Sequence, residues 1–136
     1  MPSLIRQNSV SHSKYWVSAN SVVLVASIQA FDIVELLIAT GEASFGFNNS
    51  MSGYTRVVIN NRSGINTNQI RKENIINEPT LYFDKTGDVL NVYVKASSSS
   101  YNYVIAKCTL SMLGIVTNRI LKMEVVDKDV STMTAI

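Results

Sequence analysis

Between Leu81 and Leu110 the chain reads LYFDKTGDVLNVYVKASSSSYNYVIAKCTL, alternating apolar and polar residues almost without a break. Successive side chains of a strand point to opposite faces, so this alternation sends one row of side chains into a core and the other away from it. A helix would instead need its apolar residues three and four apart. Leu90, Val92 and Val94 make one apolar row, and Val104, Ala106, Cys108 and Leu110 make another. Asp84-Lys85-Thr86-Gly87 predicts a turn that aspartate opens and glycine closes in a left-handed conformation. Four serines and Tyr101 separate the next two runs, 89–96 and 102–112. Their spacing predicts a loop joining two paired strands, with Tyr101 and Asn102 at its tip.

The same period recurs upstream. Residues 14–19 alternate, 22–28 are rich in β-branched side chains, and 54–60 place Thr55, Val57 and Ile59 opposite Tyr54, Arg56 and Val58. Residues 33–40 fit a strand and also a helical stripe that Gly41 could cap; the shortness of the run and its two apolar faces favour a central strand. Residues 43–48 and 120–126 supply further strands, 48–53 a turn, and 61–79 a long polar excursion that is either a surface loop or a loop holding one short strand. Eight to ten short strands with frequent turn signals predict an all-β antiparallel sandwich or small barrel. The expected organisation is an N-terminal arm over 1–12, one β domain over 13–127 and a polar C-terminal tail over 128–136.

A chain of 136 residues is long enough for one cored domain and short for two. Only 16% of its residues are charged against 46% hydrophobic. The deficit is filled by serine, asparagine and threonine, which suits turn-rich β-structure and surfaces covered by neighbouring subunits. The net charge of +2 is spread out, with Glu73 directly after Arg71-Lys72, so no basic stripe offers itself to nucleic acid. The apolar run 21–40 has the length of a membrane span but contains Gln29, Asp32 and Glu35. An acid near the middle of a span costs roughly 2.5–3.5 kcal/mol, so two buried strands account for it and no membrane insertion is expected.

Catalytic chemistry finds little support. Cys108 is the single cysteine and alternates with core positions, as a buried thiol does, and the single histidine, His12, lies in the N-terminal stretch. The pairs Asp84/Asp88 and Asp127/Asp129 fit turns and strand ends better than a calcium loop, and no phosphate-binding glycine pattern is present. No cofactor, metal or catalytic constellation is therefore expected, and a carbohydrate-active enzyme using Asp or Glu is the weakest of three readings. What remains is a polar surface with aromatics on it. An aromatic face covers the apolar face of a sugar ring while Asn, Ser and Arg serve its hydroxyls, which makes Trp16, Tyr54, Arg56, Tyr101 and Asn102 the candidate ligand residues. Tyr93 and Tyr103 are expected at a subunit interface, where tyrosine is enriched.

The order of SKYWVSANSVVLVASIQAFDIVELLIATG, YTRVVINNR and TLYFDKTGDVLNVYVKASSSSYNYVIAKCTL resembles C-terminal domains of bacteriophage tailspike and tail-fibre proteins. The likeness runs over about residues 13–112 and is carried by Tyr15, Leu90, Val92, Tyr93, Val94, Lys95 and Tyr103. It implies a jelly-roll-like sandwich packed as a homotrimer, located in the virion after synthesis in the host cytoplasm and attached to the rest of a fibre or spike. The implied roles are non-enzymatic binding of a host cell-surface glycan or receptor or, alternatively, trimerisation or intramolecular chaperoning without a ligand. No catalytic residue carries over from the resemblance.

Overall fold

The computed structural model describes residues 10–42, 53–62, 69–77 and 79–136. They form ten strands: β1 (Ser11–Val17), β2 (Val22–Ile28), β3 (Ile33–Glu42), β4 (Gly53–Asn60), β5 (Ile70–Ile76), β6 (Tyr82–Thr86), β7 (Val89–Lys95), β8 (Asn102–Ser111), β9 (Leu121–Val126) and β10 (Thr134–Ala135). A single helical turn, α1 (Thr117–Ile120), precedes β9, and a 3-10 turn (Val130–Thr132) precedes β10. Two five-stranded antiparallel sheets result, ordered β1-β8-β3-β4-β5 and β10-β6-β7-β2-β9. The protein is an all-β sandwich, as the alternation requires.

The core lies between the sheets and is built from the inward rows. Val34, Leu36 and Ile38 of β3, Val57 and Ile59 of β4, and Val104, Ala106 and Cys108 of β8 face Val23, Val25 and Ile28 of β2 and Leu90, Val92 and Val94 of β7. Residues 33–40 are a strand and not a helix; β3 lies between β8 and β4, and its inward row is fully buried. The apolar run 21–40 accordingly becomes β2 and β3, and among the described residues no helix is long and apolar enough to cross a membrane.

Four expectations are changed by the fold. First, β7 and β8 are not paired: β7 belongs to one sheet and β8 to the other, so the serine tract crosses the sandwich and Leu90, Val92 and Val94 meet Val104, Ala106 and Cys108 across the core, while Leu110, expected in the same row, is exposed beyond a register shift in the β3–β8 ladder. Second, the β6–β7 hairpin turns on Gly87-Asp88, with Thr86 opposite Val89 and Gly87 at φ 60; Asp84 stays in the strand, opposite Asn91. Third, the stretch expected as a C-terminal tail supplies β10, paired with β6, and Ile136 exchanges both backbone hydrogen bonds with Leu81 at 2.9 Å. Fourth, β1 begins at Ser11, so His12 lies in the sheet, opposite Ala106, with its Nε2 3.1 Å from Asn118 Oδ1. The excursion 61–79 holds the seven-residue strand β5. The strand expected over 43–48 and, apart from Gly53, which opens β4, the turn expected over 48–53 lie outside the described residues.

Candidate functional site

At the end of the sandwich where β7 passes over to β8, two pairs of aromatic rings come together. Trp16 and Tyr101 meet edge to face, with centroids 5.3 Å apart and planes at 89°. Tyr15 and Tyr103 lie 6.3 Å apart at 42°. Such separations are those of favourable aromatic pairs. Exposure separates the pairs from ordinary packing, since Trp16 is 69% and Tyr101 48% exposed.

The local backbone explains the display. The β1–β8 ladder slips between Lys14 and Val17, and Trp16 takes φ 58. A bulge of this kind adds a residue to one strand and re-aims its side chains. Left-handed backbone is costly for a bulky residue, and here it turns the indole toward the serine tract while Val17 returns to the core at 1% exposure. On the other side, Tyr103 stands opposite Gly41 on β3, and a Cβ at that glycine would fall 2.3 Å from the phenol ring. Only glycine lets the ring lie flat against the neighbouring strand, an aromatic–glycine cross-strand pair.

One buried amide ties the two halves together. Asn102 is 3% exposed. Its Nδ2 donates to Val17 O at 3.2 Å, next to Trp16, and to Ser99 O at 2.9 Å, two residues before Tyr101. Its Oδ1 lies 2.8 Å from the Ser97 hydroxyl, which is also 2.9 Å from Glu42 Oε1 and accepts from the Ser99 N–H at 3.1 Å. The tract is further tied to the β1–β2 turn by Asn20 N to Ser97 O at 2.9 Å and Ala96 N to Ser21 O at 2.8 Å. The tract is thus a hydrogen-bonded platform, and Asn102, expected to touch ligand, shapes the site from beneath. Beside it opens a small, shallow cleft lined by Gly41, Glu42, Lys95, Ser97, Asn102 and Tyr103, among others.

The remaining candidates lie elsewhere. Tyr54 and Arg56 are on the outer face of β4, and the Arg56 guanidinium is engaged with Glu73 of β5 at 2.8 Å. Tyr93, expected at a subunit interface, is 2% exposed and covered by its own chain. Its hydroxyl donates to Asp84 Oδ1 at 3.0 Å, and Lys128 lies 5.4 Å from its ring centroid while binding Asp84 Oδ2 at 3.0 Å. Burial opposes ionisation of Asp84, but hydrogen bonds from Asn91, Lys128 and Tyr93 and the Lys128 charge outweigh it and hold the carboxyl below its ordinary value. Burial raises the Tyr93 phenol, with Asp84 acting in the same sense. Cys108 is 2% exposed and burial pushes its thiol up, which suits a core residue and not a nucleophile.

Asp32 carries a role that the sequence reading missed. It is fully buried, accepting from the Ser111 hydroxyl at 2.7 Å and the Leu113 N–H at 3.0 Å, and so fixes the β2–β3 turn to the segment after β8. An acid set inside the longest apolar run was the available signal. Among the described residues, no group of three or more His, Cys, Asp and Glu side chains is placed to hold a metal ion.

Compared with protein-family models and with curated proteins, the chain matches none. Among solved structures it is similar to tailspike protein gp49 of the Acinetobacter baumannii bacteriophage Fri1, a capsular polysaccharide depolymerase. That likeness has 13% identity and a TM-score of 0.44, over 72% of this chain and 17% of that one. It is also similar to WceF of Pantoea stewartii, a glycan biofilm modifying enzyme with a bacteriophage tailspike-like parallel β-helix fold, with 14% identity and a TM-score of 0.43 over 88% of this chain and 20% of that one. The chain therefore spans a fifth or less of either protein.

Proposed function

We propose that the chain is a non-enzymatic glycan- or receptor-binding module of a phage tail fibre or tailspike, engaging a host-surface sugar at the Trp16–Tyr101 end of the sandwich. The observation that carries this reading is the exposure of both rings on a rigid, hydroxyl-rich platform. Stable proteins seldom hold two large aromatics open together without a partner for them. The phage setting rests on the sequence resemblance described above. Four carboxylates are engaged in internal contacts, Asp32 with Ser111, Glu35 with Thr109, Glu73 with Arg56 and Asp84 with Lys128, which favours binding without turnover at those positions. On an array of bacterial surface glycans the protein should bind a restricted set of structures, and Trp16→Ala should lose at least tenfold in affinity, about 1.4 kcal/mol. Unchanged binding by that variant would sink the assignment, and release of sugar fragments would restore the carbohydrate-active enzyme reading.

A second reading, trimerisation or folding assistance for a larger spike, draws on a different observation. On the outer face of the β1-containing sheet, half-buried Tyr54, Ala39 and Ile105 lie side by side across three strands, with Leu37 and Val58 set among Glu35, Arg56 and Lys107, a mixed apolar and charged face suited to a neighbouring copy. Light scattering gives its test: a homotrimer supports this reading, and a monomer across the micromolar range contradicts it.

A further inference from the structure

The two exposed rings do not lie side by side. At 89° and 5.3 Å they form the two walls of a corner. Aromatic faces laid along a common line let successive sugars stack as a glycan chain runs through. Here the edge of one ring closes off the face of the other. The tract that leads into Tyr101 supplies hydroxyls: Ser98 and Ser100 are exposed, while Ser97 and Ser99 are engaged in holding the loop. The corner is also stiff, because Asn102 bonds the backbone beside each wall and Trp16 is held in a left-handed conformation. The backbone that carries both rings is thus bonded to the rest of the fold before a sugar arrives.

Building on the glycan reading above, we infer that this corner takes a single terminal hexopyranose, the end of a glycan branch, and not an internal stretch of polysaccharide. One ring covers the apolar face of the sugar, the other blocks continuation of the chain in that direction, and the exposed serines meet its outward hydroxyls.

Trp16 is the only tryptophan of the chain, so its emission reports on the corner directly. The full chain is titrated with free glucose, galactose, mannose and N-acetylglucosamine, and with linear tri- and hexasaccharides built from each. Saturable change with at least one monosaccharide, and affinity for its oligomers within about threefold, is the expected result. Tyr101→Ala should weaken that response at least tenfold, whereas Tyr101→Phe, which keeps the wall, should stay within about twofold. A response confined to oligosaccharides and rising more than tenfold from trimer to hexamer would overturn the terminal-sugar inference while leaving glycan binding intact. Silence toward every sugar, together with an empty glycan array, would overturn both.

Discussion

Asn102 shows how one side chain can shape a site that it does not face. Its amide and carbonyl satisfy three partners from two segments, and each of these groups would be costly to leave buried and unpaired. Asn102→Ala should lower unfolding free energy by about 1–3 kcal/mol in denaturant titration. It should also loosen the Trp16–Tyr101 contact, seen as a loss of near-ultraviolet circular dichroism before any global melting. Asp84 makes a pH-dependent contribution. Its folded pKa lies below the ordinary 3.8, so its stabilisation is complete above that value and is lost as pH falls through the folded pKa. Lys128, its partner, is 43% exposed, so solvent screening limits the pair to about 1 kcal/mol or less. Melting temperature should fall more steeply below pH 4 in the wild type than in Asp84→Asn.

At the scale of elements, the two-residue period revealed which side of most strands faces the core, up to the register shift that turns Leu110 outward, but not which strand lies beside it. β7 and β8 have matching inward rows, and a polar tract between such strands can close a hairpin or cross a sandwich. Packed sheets lie about 10 Å apart, and a chain reaches roughly 3.3–3.6 Å per residue, so a tract of this length can do either. β10 was hidden for a different reason: its two residues fall below any periodic signal, and its partners Tyr82 and Phe83 are distant in sequence. The bulge at Trp16 left no mark either, since nothing in KYWVS distinguishes a left-handed tryptophan from an extended one. Trp16 and Tyr101 were legible as candidates, and only the fold could bring them together. Removing residues 134–136 strips a strand from β6 and the cover that Ile136 gives the core. That truncation should cost about 1–3 kcal/mol, visible as a lowered melting temperature with the β-sheet circular dichroism spectrum retained.

The whole molecule has two unlike ends. One presents aromatic rings over a serine platform. The other exposes Phe31, Met112 and Leu113 around the turn that buried Asp32 fixes. Between them the inward rows form one buried core, and on this account the first end is a surface formed before a ligand arrives. The alternative ligand candidates, Tyr54 and Arg56, lie on the outer face of β4, separated from β8 by β3, where a neighbouring copy is the competing occupant. Isothermal titration of the best glycan from the array against wild type, Trp16→Ala and Tyr54→Ala separates these sites most directly. The account predicts that Trp16→Ala abolishes the heat of binding while Tyr54→Ala leaves affinity within about twofold. Retained binding in Trp16→Ala with loss in Tyr54→Ala would contradict it and move the site to the face of the sheet.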